Sequence, residues 1–171
     1  MWVFDATPLI YLAKVDRLGL VDDLADRCVV PERVYDEVVT TGLEAGYPDA
    51  RRIERGVEGD SFDVVTVEST PLLSRLQRQS NLSDADAAVL ACADTHDGIA
   101  VMDEAYGRDV AAAETITTRG TAYIVLRLTQ QGSIRVEEAR TVIDSMIDEG
   151  WYCAPDVYAK ILQKLDSLAE Q

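Results

Sequence analysis

The run Ile99-Ala100-Val101-Met102 places four apolar residues in a row with no polar alternate. A strand of that kind has both faces covered. It excludes an open antiparallel sheet with one wet side and requires helices above and below. The flanks supply them. Ser83, with Asp86 three residues on, reads as a capping box that opens a helix over residues 84–93. Gly98 breaks the pattern before the strand, and Asp103 stands at the strand's end as a candidate N-cap for the helix after it.

The same alternation runs through the chain. Residues 1–4 read as a strand ending at Asp5, followed by Thr7 as N-cap and Pro8 as first helical residue, with the helix reaching about Val15. A short helix over 18–26 leads to a strand over 28–30, and Pro31 opens another helix. Residues 42–60 are charged and glycine-rich, with one helical piece over 49–55; this stretch reads as variable, mobile surface. A strand over 62–67, a helix over 71–79 and a last strand over 115–117 follow. Three helical patterns close the chain, over 121–131, 136–149 and 155–168. Strands alternating with helices give an α/β fold: a parallel sheet of four to five strands, helices on both faces and extra C-terminal helices. With 171 residues and 47% hydrophobic content, the expectation is a single domain over 1–171, with a helical extension over about 121–171.

Two carboxylates face the wrong way for a soluble surface. Counting about 100° per residue, Asp86 falls among Val89, Leu90 and Ala93 while Asp84 points outward. Glu37 sits at the margin of the stripe Val30, Val34 and Val38, with Glu32 and Asp36 opposite. Ligand sites in open α/β sheets lie at the carboxyl ends of the strands. That edge should carry Asp5 and Asp103, with Asp86 and Glu37 leaning in from helices. Four converging acids repel unless protonated or relieved by a cation. Oxygen-only ligands select a hard ion, Mg²⁺ or Mn²⁺, and such ions usually serve phosphate chemistry. Thr7 would steady a ligand water or carboxylate.

Other chemistries find little support. His96 is the one histidine, and there is no CxxC or HExxH, so neither a zinc site nor a Ser/His/Asp triad is built. A phospho-receiver would want a second acid beside Asp5 and a late lysine, yet no lysine lies between Lys14 and Lys160. A DxD phosphatase fails at Thr7. Cys28, Cys92 and Cys153 are odd in number and far apart, as for reduced thiols in a cytoplasmic protein. No stretch approaches the roughly 20 apolar residues of a membrane span. The net charge of −15, from 31 acids against 16 bases, is similar to haloarchaeal compositions. It argues against binding nucleic acid through a basic surface, although a metal site can supply positive charge itself.

The residues resemble the PIN-domain nucleases, in particular an archaeal branch related to toxin ribonucleases. VFDAT resembles the family's first strand and acid, Asp5, with Thr7 after it. PERVYDEV resembles the second acid, Glu37, and LSDADAAVLACA the third, Asp86. VMDEAYGRDVA resembles the fourth-acid strand end, Asp103, with Arg108 downstream, and RGTAYIVLRLTQQGSI a glycine turn and helix of that branch. One departure is Ala85-Asp86 where the family often has Gly-Glu, a shorter arm. The resemblance implies a three-layer α/β/α PIN-like fold and a Mg²⁺- or Mn²⁺-dependent endoribonuclease. Asp5, Asp86 and Asp103 would bind metal, Glu37 would hold a second ion or orient water, and Arg108 and Arg119 would meet RNA phosphate. RNA is the implied substrate, with an antitoxin or other protein as partner if the chain is a toxin; an RNA-processing role is the other expectation. The rival expectation is a non-catalytic PIN-like module that binds RNA or protein with a vestigial site. Val136, Val142, Ile147, Val157 and Ile161 offer more apolar helix surface than a small sheet readily covers, which suggests a homodimer or a bound partner.

Overall fold

The computed structural model describes residues 1–171. Five parallel strands form one sheet in the order β3-β2-β1-β4-β5: β1 Trp2–Phe4, β2 Cys28–Pro31, β3 Asp63–Val65, β4 Ile99–Val101 and β5 Thr117–Arg119. Val3 pairs with Val29 on one side and Ala100 on the other. Val3, Phe4, Val29, Val30, Ala100 and Val101 are wholly buried, as an unbroken apolar strand requires. The helices are α1 Ala6–Lys14, α2 Glu32–Tyr35, α3 Gly42–Glu44, α4 Pro48–Glu58, α5 Pro71–Gln77, α6 Asp84–Thr95, α7 Ala105–Ala113, α8 Thr121–Gln130, α9 Val136–Asp148 and α10 Pro155–Ala169. One layer gathers around α6, with α2 and α5 against it, and the other around α1, with α4 and α9. The result is a three-layer α/β/α fold.

The strand order reverses between β1 and β4. Chain direction leaves β1 for β2 and β3, then returns past β1 to β4 and β5, so the carboxyl ends of β1 and β4 border the switch-point crevice. Asp5 and Asp103 lie immediately beyond those two strands.

The structure corrects several local expectations. Helix α1 begins at Ala6 with Asp5 in the N-cap position, so Thr7 is inside the helix rather than its cap. Strand β5 starts at Thr117, two residues later than expected. Thr115 adopts φ +57° and Ile116 N–H returns to Ala111 O at 2.8 Å, which spends both residues on closing α7. The charged stretch 42–60 is tied down: α4 buries Ala50 and Ile53 and packs on α1. At Gly42 an added Cβ would stand 2.8 Å from the Ala50 Cβ, so that close approach needs glycine. The surplus apolar surface of the C-terminal helices is largely used within the chain. Val142 and Ile161 are buried and Val136 and Ile147 half-buried as α8, α9 and α10 pack together, leaving Val157 as the exposed member. The three cysteines are free, with Cys153 half-buried. No helix is long and apolar enough to cross a membrane.

Candidate functional site

Asp5 is the one buried acid of the molecule, 6% exposed. Two elements put it there. Its backbone N–H continues the sheet ladder to Val101 O at 3.0 Å, and its φ and ψ of −82° and 172° then turn the chain into α1. The carboxyl is thereby fixed between a strand end and a helix start. Its pKa is pushed up to about 8, chiefly by burial and next by the charge of Asp86, whose carboxyl is also within hydrogen-bonding reach; Glu37 adds to the rise. Only the Ala6 N–H pulls the other way. No arginine, lysine or histidine contributes.

Asp86 reaches this point from α6, and it is a cap and an inward acid at once. Ser83 Oγ accepts from Asp86 N–H at 3.0 Å, and Asp86 Oδ2 accepts from Ser83 N–H at 3.3 Å. The reciprocal bonds fix its backbone and one carboxyl oxygen, while the buried face Val89, Leu90 and Ala93 turns the side chain toward the sheet edge. Asp84 points to solvent and meets Arg33 at 3.5 Å.

Glu37 acts on Asp5 and is itself acted on by Asp86. Residues Asp36–Thr41 form a π-helical turn directly after α2. Such wide turns recur at functional sites because one extra residue per turn re-aims the side chains around it. Partial burial first, and then Asp86, raise the Glu37 carboxyl above the usual range, though the residue reaches solvent. Asp86 is thus the middle member of three mutually repelling acids.

Asp103 lies at the same edge with a different set of partners. It does not cap α7, whose N-cap position is Glu104. Its Oδ1 accepts from Thr121 N–H at 2.7 Å. Its Oδ2 accepts from Thr121 Oγ1 at 2.7 Å and from the Trp151 indole Nε1 at 3.1 Å. A carboxylate at the first turn of α8 is favoured by that helix's unpaired N–H groups and dipole. Gly120 makes the approach feasible, because an added Cβ would stand 2.9 Å from Oδ1. Oδ2 is saturated and Oδ1 retains one lone-pair direction. Thr121 and Trp151 were not evident as site residues from sequence; the available signals were the Gly-Thr pair opening a helix and a tryptophan between Gly150 and Pro155.

The acids therefore divide. Asp5, Asp86 and Glu37 are coupled, whereas Asp103, at the same sheet edge, is anchored by Thr121 and Trp151 and is not among the charges that act on Asp5. No three Asp, Glu, His or Cys side chains stand where they could already clasp an ion. The donor set nevertheless fits a hard divalent cation. It is all carboxylate oxygen, and burial together with the Asp86 charge favours the protonated form of its buried member, with no positive side chain to offset them. Thr7 is half-buried on the same first turn as Asp5.

Arg108 and Arg119 sit together across a cavity of about 310 Å³ that also borders Asp103, Tyr123, Trp151 and Tyr152. Arg108 is exposed; Arg119 donates to Thr118 O at 2.7 Å and lies 5.0 Å over the Tyr123 ring.

A family model described as a PIN domain matches residues 1–167. No curated protein matches the chain, and no solved structure matches it.

Proposed function

We infer that this chain, which belongs to the PIN-domain family, is an endoribonuclease that hydrolyses RNA phosphodiester bonds using Mg²⁺ or Mn²⁺ at the acidic edge of its sheet. One observation carries the reading: Asp5 is buried against Asp86 with no cationic side chain to relieve it. An uncompensated buried carboxyl is costly to a fold, and a nuclease fold gives that cost a use. Asp5, Asp86 and Asp103 are the residues that would hold the metal, Asp103 through the open side of Oδ1. Bound there, a divalent ion supplies Lewis acidity at a phosphodiester oxygen and lowers the pKa of a water.

The remaining work falls to the chain. Asp5 releases the proton that burial and Asp86 keep on it. Asp86, fixed through Oδ2 by Ser83, presents its other oxygen without reorganising. Glu37, at the solvent side, orients the attacking water as a hydrogen-bond acceptor or holds a second ion. Thr7 steadies a water or carboxylate beside Asp5, and Arg108 and Arg119 receive phosphate. The chain would act as one domain in the cytoplasm, either as the toxin of a toxin–antitoxin pair or as an RNA-processing nuclease.

A second reading, a non-catalytic RNA- or protein-binding module, draws on the absence of a ready-made three-acid clasp. Incubation of labelled single-stranded RNA in EDTA, Mg²⁺ and Mn²⁺ separates the two. The nuclease reading expects cleavage only with the ions. Intact RNA in all three, with RNA still bound, supports the module instead.

A further inference from the structure

We propose that the cavity beside Asp103 is a nucleotide subsite, which seats one unpaired base of RNA against Tyr152 and takes the adjoining phosphates on Arg108 and Arg119. The proposal deepens the nuclease reading and rests on it for the identity of the polymer. It rests for itself on the shape and chemistry of the cavity.

At about 310 Å³, the cavity is at the lower end of the roughly 300–1,000 Å³ typical of small-ligand pockets. It has room for a single nucleobase, and a duplex could not enter it. Its floor is Trp151, buried and fixed through the indole N–H to Asp103. At its rim stands Tyr152, 84% exposed. A tyrosine left that open has no part in the core and offers a whole ring face to a ligand. A base stacks on such a ring only when it is splayed out of a helix, as in single-stranded RNA.

Charge marks the same place. In a chain of net charge −15, Arg108 and Arg119 pair with no carboxylate, whereas most other arginines do. The positive character continues beyond the cavity. Arg119 lies over Tyr123, Tyr123 sits 6.4 Å from Trp2, and Arg127 lies 5.9 Å over Trp2. The Arg119 and Arg127 guanidinium groups beside Tyr123 hold its hydroxyl pKa below the ordinary value. Guanidinium groups held by aromatic rings keep their outer N–H donors directed at phosphate at low entropic cost. The arrangement combines a stacking ring, a base-sized hollow and an arginine track, and the hollow begins at Asp103, the acid nearest β4.

The test is fluorescence anisotropy of a short fluorescein-labelled oligouridylate and of a matched duplex, with the full chain in EDTA so that nothing is cleaved. The single strand should bind more tightly than the duplex. Tyr152→Ala should weaken single-strand binding by about 5- to 150-fold, the range of one lost base stack. Tyr47→Ala, an exposed tyrosine away from the cavity at 58%, should leave it unchanged. Arg108→Ala should reduce the slope of log K against log salt by about 0.7, one phosphate on a single strand. Equal binding by the parent and Tyr152→Ala, preference for the duplex, or no oligonucleotide binding at all would each overturn the proposal. Binding that behaves as stated, without cleavage once Mn²⁺ is restored, leaves the subsite standing and removes the nuclease reading. Cleavage indifferent to Tyr152→Ala and Arg108→Ala does the reverse.

Discussion

Asp5 is buried beside Asp86 at the switch point of the sheet, and the nearest relief for either charge is a backbone N–H. Without metal, Asp5 holds a proton in the folded chain that it loses on unfolding. Its folded pKa of about 8 lies above the ordinary 3.8. Between those values the folded state binds more protons, so metal-free stability should fall as pH rises through that window and level off above it. One such proton contributes a slope of at most about 1.4 kcal/mol per pH unit. Urea denaturation across pH in EDTA should show the parent losing stability relative to Asp5→Asn, whose amide has no proton to give up. Parallel pH profiles would remove the buried-acid account.

Asp103 predicts the opposite sign. Its carboxylate accepts three hydrogen bonds from Thr121 and Trp151, so Asp103→Asn sets an NH₂ against donors and removes charge from the start of α8. A loss of about 1–3 kcal/mol should follow even without metal, seen as a lower urea midpoint. An unchanged midpoint would mean that the anchoring bonds carry no net stability.

Gly120→Ala tests the same contact from the backbone side. The new Cβ would press on Asp103 Oδ1 at 2.9 Å and approach Arg108 to 3.5 Å. The carboxylate must retreat from Thr121 or Trp151, at a cost of about 1–3 kcal/mol. The change should also alter the emission of Trp151, because its indole loses its acceptor. A variant as stable as the parent, with the same emission, would show that α8 simply shifts to make room.

The layered parallel sheet was legible because the three central strands, β2, β1 and β4, are short and apolar and the crossovers carry a helical period. The inward tilt of Asp86 was legible for the same reason: Val89, Leu90 and Ala93 fix which face of α6 is buried. Local bonding was harder to read. Thr7 looked like a cap, but the ladder bond from Asp5 N–H to Val101 O starts α1 two residues before the Thr7-Pro8 signal. Asp103 also looked like a cap, and its true partners are 18 and 48 residues away, beyond any periodicity. The π turn that carries Glu37 has no composition of its own. The cover over the C-terminal helices comes from their mutual packing, which a count of apolar residues per helix does not contain.

The most direct measurement is a comparison of Asp86→Asn with the parent in metal-free melting, Mn²⁺-dependent melting and RNA cleavage. The amide keeps an oxygen for Ser83 N–H, so a residue that only capped α6 would lose about 0.5 kcal/mol or less, alike with and without metal. As the middle of the acid site, Asp86 predicts a metal-free variant that melts at or above the parent's temperature, because repulsion with Asp5 is gone. Its Mn²⁺-induced rise should shrink, and its cleavage should fall by orders of magnitude. Asp84→Asn, exposed and in only a surface pair with Arg33, should match the parent in all three. If Asp86→Asn kept the full Mn²⁺ shift and cut RNA at the parent rate, Asp86 would be a helix cap and the acidic edge would not be the catalytic site.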